Sequence, residues 1–173
     1  MKWTPIAAGL LSVVPLTCHA AIYLTTEQAQ VLMFPAMSMQ HIKLNITNDL
    51  NAALKKSSRM YHPFTADQVY KTSNGGWFII DKVLGKHEMI TYAVGLNANG
   101  TVKQVEILEY NESYGGQVRN TTWRNQFVGK SIKDKIELNS DIQNISGATL
   151  SSKHLTDGIK RIVALHELLL KTL

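Results

Sequence analysis

The sequence predicts an α+β domain, an antiparallel sheet packed against helices and finished by a C-terminal amphipathic helix. Residues 76–110, GWFIIDKVLGKHEMITYAVGLNANGTVKQVEILEY, are rich in aromatic and β-branched side chains. Turn residues interrupt them at Gly85-Lys86 and at Asn97-Ala98-Asn99-Gly100, the pattern of consecutive hairpins. Further on, Leu155, Ile159, Ile162, Val163, His166, Leu169 and Leu170 recur at the spacing of one helix face. Strands in succession followed by a helix with an apolar face place that helix against the sheet. At 173 residues, 45% hydrophobic and 18% charged, the chain holds one domain with a real core and falls outside the disordered class.

Taken in order, residues 1–20, MKWTPIAAGLLSVVPLTCHA, read as a signal peptide. Lys2 precedes a short apolar run, and Cys18-His19-Ala20 ends it with small residues where signal peptidase reads. Residues 21–173 then form a single domain in the periplasm or another extracytoplasmic space. The uncharged run is short for a membrane span and is bracketed by Pro5 and Pro15, which argues against a retained anchor. Thr17 ahead of Cys18 argues against a lipoprotein. Cleavage removes the single Cys, which excludes thiol chemistry, Cys-held clusters and c-type haem attachment.

Thr25 and Gln28 fit a capping box for a first helix that ends before Pro35. Residues 41–72 alternate at first and then read helical, so the pattern does not decide between strand and helix. Three antiparallel strands follow at about 77–84, 88–96 and 101–110. In the last of them Val102, Val105, Ile107 and Tyr110 point inward, with a slip in the alternation that a bulge absorbs. NESYGGQVRNTTW is a loop whose Gly115-Gly116 pair permits close backbone approach. WRNQFVGKSI reads as a short helix ending at Gly129, and the final helix spans about 152–170.

Several function classes are disfavoured. The formal net charge is +5, Lys2 leaves with the signal peptide, and the basic residues are scattered rather than clustered, which argues against a nucleic-acid groove. His41, His62, His87, His154 and His166 remain after cleavage, and none makes a metal-spaced pair with a third ligand. His166 lies on the apolar helix face and reads as a hydrogen-bonded core residue. Ser151 and Ser152 have no acid or base at a spacing that suggests hydrolysis.

The stretch NISGATLSS, residues 144–152, is the most informative. It sets Ser146, Thr149, Ser151 and Ser152 around Gly147-Ala148 at the mouth of the last helix. Thr149 is expected just outside the helix, with Ser151 or Ser152 as N-cap. The first amides of a helix have no internal partners and carry the positive end of the dipole. Such an end suits a phosphate, and a plain Ser/Thr cap is the alternative reading of the same residues.

SGATLSS ahead of an amphipathic helix resembles the flavinylation motif of the FMN-binding domain family, which includes the covalent-FMN subunits of the sodium-pumping NADH:quinone reductase and of the Rnf complex. The likeness continues through YAVGLNANGTVKQVEILEYNES-YGG and WRNQFVGKSI and is strongest over residues 75–170. The resemblance implies FMN bound through a phosphoester to Thr149, installed by a flavin transferase that consumes FAD. Ser146, Gly147, Ala148 and Ser152 would line the phosphate, with Ser151 beside them. Glu112, Gly115 and Gly116 would face the ribityl chain or ring. Tyr114 and Trp123 are either ring-stacking or packing aromatics. Two departures stand out. Gln143 occupies a position where the family usually has Asp, with Asp141 two residues earlier. The loop after Glu112 reads Ser-Tyr-Gly-Gly rather than the family's usual Thr-Pro-Gly-Leu-Gly. The implied function is an electron-transfer module, an electron carrier rather than an enzyme with its own small-molecule substrate. Its redox partners would be extracytoplasmic or membrane-bound, linked to cytochrome or quinone. The alternative is a non-covalent or flavin-free adaptor in such a redox system.

Overall fold

A computed structural model describes residues 22–64, 66–112 and 114–173. The expected signal peptide and cleavage site lie outside the described residues. Five strands, β1 (Met39–His41), β2 (Val69–Thr72), β3 (Trp77–Leu84), β4 (Met89–Leu96) and β5 (Val102–Tyr110), form one antiparallel sheet in sequence order. The helices are α1 (Thr26–Met33), α2 (Asn48–Ser58), α3 (Thr121–Arg124) and α4 (Thr149–Leu168). The α+β architecture is as expected.

Helix α1 starts as the capping box predicts: Gln28 N donates to Thr25 Oγ1 at 3.2 Å, and Thr25 N donates to Gln28 Oε1 at 2.8 Å. The undecided stretch 41–72 resolves into α2, with Thr47 as its N-cap, between the edge strand β1 and β2. Strand β5 carries two bulges. Lys103 and Leu108 are the extra residues where the β4–β5 register shifts, so Val102, Val105, Ile107 and Tyr110 all reach one face.

That face carries the main core. Leu155, Ile159, Ile162 and Val163 of α4 and Leu54 of α2 pack there with Val83, Ile90, Tyr92, Val94 and Val105 of the sheet. The opposite face is covered by α1, whose Ala29 and Met33, with Phe34, meet Phe78, Ile80, Ala93 and Leu108. An ion pair not foreseen from the sequence crosses the main core. Arg161, 1% exposed, donates to Asp81 Oδ2 at 2.6 Å, and Tyr92 Oη donates to the same oxygen at 2.7 Å. Burial of a charge is tolerated because it is paired and hydrogen-bonded.

Two boundaries differ from expectation. The short helix runs only over Thr121–Arg124 and continues as a 3₁₀ turn, Asn125–Phe127. Helix α4 begins at Thr149 rather than near Ser152. Its N-cap is Ala148, with no side-chain cap, and Ser151 and Ser152 lie buried within the first turn. Ser152 is not the cap because its hydroxyl turns back toward Ala148 O at 3.0 Å and Thr149 O at 3.2 Å. Among the described residues, no helix is long and apolar enough to cross a membrane.

Candidate flavin site

The N-terminal end of α4 opens into a cavity of about 440 Å³ lined by Lys86, His87, Glu112, Tyr114, Gly147, Ala148, Thr149, Leu150 and Ser151. Three segments far apart in sequence build it: the β3–β4 turn, the loop after β5, and the turn into α4. Their mutual placement follows from specific contacts.

The loop after β5 is pinned to α4 by Tyr110. Its hydroxyl donates to Tyr114 O at 2.6 Å and lies 3.4 Å from Ser151 Oγ. Burial raises the Tyr110 pKa above its ordinary value of 10.0, so the phenol keeps its proton for this bond. Gly115 then passes close to Ala148. A Cβ at Gly115 would lie 2.8 Å from Ala148 Cβ and 2.6 Å from Tyr110 Oη, and its φ of +89° is also disfavoured for L side chains. The close approach expected of the double glycine is therefore made by Gly115 to the Ser146–Thr149 segment. Gly116 has open space around it.

The β3–β4 turn is held by Glu112. Its Oε1 accepts from His87 N at 2.6 Å and Glu88 N at 3.0 Å. Burial acts to raise the Glu112 pKa, but the amides of His87, Glu88 and Lys86 and the His87 charge outweigh it and hold the carboxyl below its ordinary range. Glu112 lines the cavity as a fixed anion whose Oε1 is turned to the turn. The bracing places Lys86 and His87 at the cavity wall.

The turn into α4 contains Gly147 at φ +80°, closed by Ala148 N donating to Ile145 O at 3.0 Å. Thr149, the first helical residue, is exposed at the cavity. No side chain caps the helix, so its first amides and the positive end of its dipole face this space.

The structure thus brings Thr149, Gly147, Ala148, Ser151, Glu112 and Tyr114 of the sequence-expected residues into one cavity. Ser146 is exposed beside it, and Gly115 shapes it from behind. Ser152 does not line it: its Oγ is 2.9 Å from Asn144 Oδ1. Trp123 is buried instead, edge-on to Phe127 at 5.2 Å, with Nε1 donating to Gln143 O at 2.7 Å, so it packs the core rather than the cavity. Lys86, His87 and Leu150 are cavity residues that the sequence does not single out. The GKHE string reads as a turn and carries no local sign of which loop it faces.

The departure at Gln143 and the nearby Asp141 also have places. Gln143 is exposed and its backbone N donates to Gln126 Oε1 at 2.8 Å. Asp141 is an internal staple, pairing with Lys130 at 2.9 Å and accepting from Ile136 N and Glu137 N. Among the described residues, no group of three His, Cys, Asp or Glu is placed to hold a metal ion.

An uncapped helix end bearing a hydroxyl suits a phosphate, and the cavity volume lies within the range of small-molecule sites. Residues 85–164 match the family described as FMN-binding domain, a span that contains every residue lining the cavity. This stretch of the chain is similar to that family. Among curated proteins, the chain is similar to a subunit of the Na(+)-translocating ferredoxin:NAD(+) oxidoreductase complex of Acetobacterium woodii. The two are 31% identical over 86 residues, covering 44% of this chain and 42% of that protein. The chain thus spans less than half the length of this relative.

Proposed function

We propose that the protein is an exported flavoprotein that transfers electrons through FMN attached by a phosphoester to Thr149. The observation that carries this reading is the position of Thr149, a hydroxyl on the first residue of an uncapped 20-residue helix, open to the shared cavity. The amides of that helix end would stabilise the phosphate charge, by about 0.3–1 kcal/mol at an exposed site. Lys86 and His87 would meet the flavin from the opposite wall, and Tyr114, 84% exposed, is available to cover a ring. When bound, FMN supplies the one- and two-electron chemistry, and the protein holds and tunes it. The curated relative belongs to an oxidoreductase complex by name, which supports extracytoplasmic or membrane redox partners for this chain. Installation would require a flavin transferase.

A second reading, a non-covalent or flavin-free adaptor, draws on Gln143. No carboxylate stands at that position, and Asp141 is engaged by Lys130 and two amides, so it is not available to replace one.

One experiment separates the readings. The full chain is co-expressed with a flavin transferase, and the product is read by intact mass and by flavin fluorescence after denaturation. The covalent reading expects a chain beginning at Ala21, heavier by FMN minus water, with the gain on the peptide containing Thr149. Thr149→Ala should lose the gain entirely. An unmodified mass beside an active transferase rejects the ester, and fluorescence released on denaturation favours the non-covalent form. A chain that keeps Met1 rejects export by cleavage.

A further inference from the structure

The side chain of Asn144 spans the turn that presents Thr149. Its Oδ1 accepts from Ile145 N at 2.8 Å and lies 2.9 Å from Ser152 Oγ, while its Nδ2 lies 3.3 Å from Thr149 Oγ1. The amide orientation is fixed by chemistry. A backbone N–H only donates, so the atom facing Ile145 N is the oxygen, and the atom facing Thr149 is the NH₂ group. Thr149 Oγ1 is therefore an acceptor in this contact, and its own proton is left for another partner. Without Asn144, a Thr hydroxyl in a first helical turn has preceding carbonyls as competing partners. The bridge also ties the hydroxyl to Ser152, one turn into α4, whose own oxygen is buried and locked.

We propose that Asn144 is the positioning residue for esterification of Thr149, holding its oxygen in an attacking orientation toward the cavity. The proposal rests on the covalent reading above. In the step, Thr149 Oγ attacks the FMN-side phosphorus of FAD. The Oγ–P bond forms, the anhydride P–O bond breaks, AMP leaves, and the hydroxyl proton passes to a base on the transferase. No atom changes oxidation state. Asn144 takes no part in bond exchange. It restricts the Thr149 rotamer and occupies one lone pair, leaving the other for phosphorus.

Two substitutions isolate this role. Asn144→Asp keeps the acceptor for Ile145 N and Ser152 Oγ but cannot donate to Thr149 at neutral pH. Asn144→Ala removes the donor without adding a negative charge. Purified chain, flavin transferase and FAD are mixed, and the rate of FMN incorporation is followed by intact mass against chain concentration. Both variants are expected to lose about 10- to 100-fold in kcat. Their KM for the chain should stay within about twofold, because the substitutions act on the orientation of the Thr149 hydroxyl rather than on uniform binding, and the melt of Asn144→Asp should match wild type. Wild-type kcat in either variant overturns the proposal. So does a loss confined to KM, or one matched by a lower melt in Asn144→Asp, since each is what a merely structural Asn144 would give. Loss in Asp alone would mean charge repulsion and overturns it as well. Wild type is the control for the underlying reading: if it takes up no FMN, the ester falls and this role falls with it, whereas a loaded wild type with equally loaded variants rejects Asn144 alone.

Discussion

Helix α4 lies between two hairpin turns, and the two are satisfied in opposite ways. The β4–β5 turn closes on itself. Asn97 Nδ2 donates to Thr101 Oγ1 at 2.9 Å, Thr101 N donates to Asn99 Oδ1 at 3.1 Å, and Gly100 N donates to Asn97 O at 2.9 Å. Buried His166, near the C-terminal end of α4, packs beneath it and hydrogen-bonds the backbone of Ala98. The β3–β4 turn has one closing bond of its own, Gly85 N donating to Glu88 O at 2.7 Å, and takes its side-chain support from outside, through the Glu112 carboxylate more than 20 residues away. Its side chains Lys86 and His87 face a cavity across from uncapped helix amides. The first turn is a structural joint with its polar groups spent. The second is held from behind, so its front is free to meet a ligand.

The strongest way to break this division is Gly100→Val. A Cβ at Gly100 would lie 2.3 Å from His166 Nδ1, at a φ of +80°. The expected loss is about 3 kcal/mol or more, from overpacking plus backbone strain, seen as a lower thermal melt. Flavin content per folded molecule should be unchanged. A variant that melts normally yet loses flavin would show that the two ends are not separate.

Glu112→Gln should cost less, about 1 kcal/mol, because a neutral oxygen replaces a charged acceptor of two amides. Faster hydrogen exchange at His87 and Glu88 is the readout, with Thr101 as the unaffected control turn. The carboxyl pKa is depressed in the fold, so its contribution is complete above the ordinary value of 4.5 and is lost as pH falls through the lower folded value. Wild-type protection should persist below pH 4.5 and then drop, and Glu112→Gln should show no such step. A wild-type step above 4.5 would contradict the bracing.

The smallest effect is expected at His166. Burial holds its pKa below 6.5 despite the hydrogen bond to Ala98, so the folded state prefers the neutral ring. Stability is full above the unfolded value near 6.5 and declines as pH falls toward the folded value. His166→Gln should flatten the dependence of the melt on pH just below 6.5. An unchanged slope would mean that the imidazole does not titrate differently in the fold.

The sequence makes some of this legible because the signal is periodic or local. Strands β3–β5 follow alternation with turn punctuation, and α1 announces itself through Thr25 and Gln28. The one slip expected in β5 is two bulges in the structure, at Lys103 and Leu108. Helix α2 is obscure because its apolar residues are few and little of it is buried: among its residues only Leu54 and Ser58 are. The start of α4 differs from expectation for a physical reason. Ser and Thr favour caps, but here Ser151 and Ser152 face inward and the cap position falls to Ala148. Of the cavity, the contributions of SGAT and of Glu112 are readable as strings, while Lys86 and His87 depend on a long-range hydrogen bond that no local pattern encodes.

The bulge at Leu108 has a mechanical consequence. Its carbonyl accepts from Tyr23 N at 2.8 Å and Leu24 N at 3.4 Å, and the Arg119 guanidinium stacks over the Tyr23 ring at 3.3 Å from its centroid. A pull applied through the segment before α1 would therefore load β5 directly at Leu108, four residues ahead of Glu112. Tension on that leash would travel along the same strand that steadies the cavity wall.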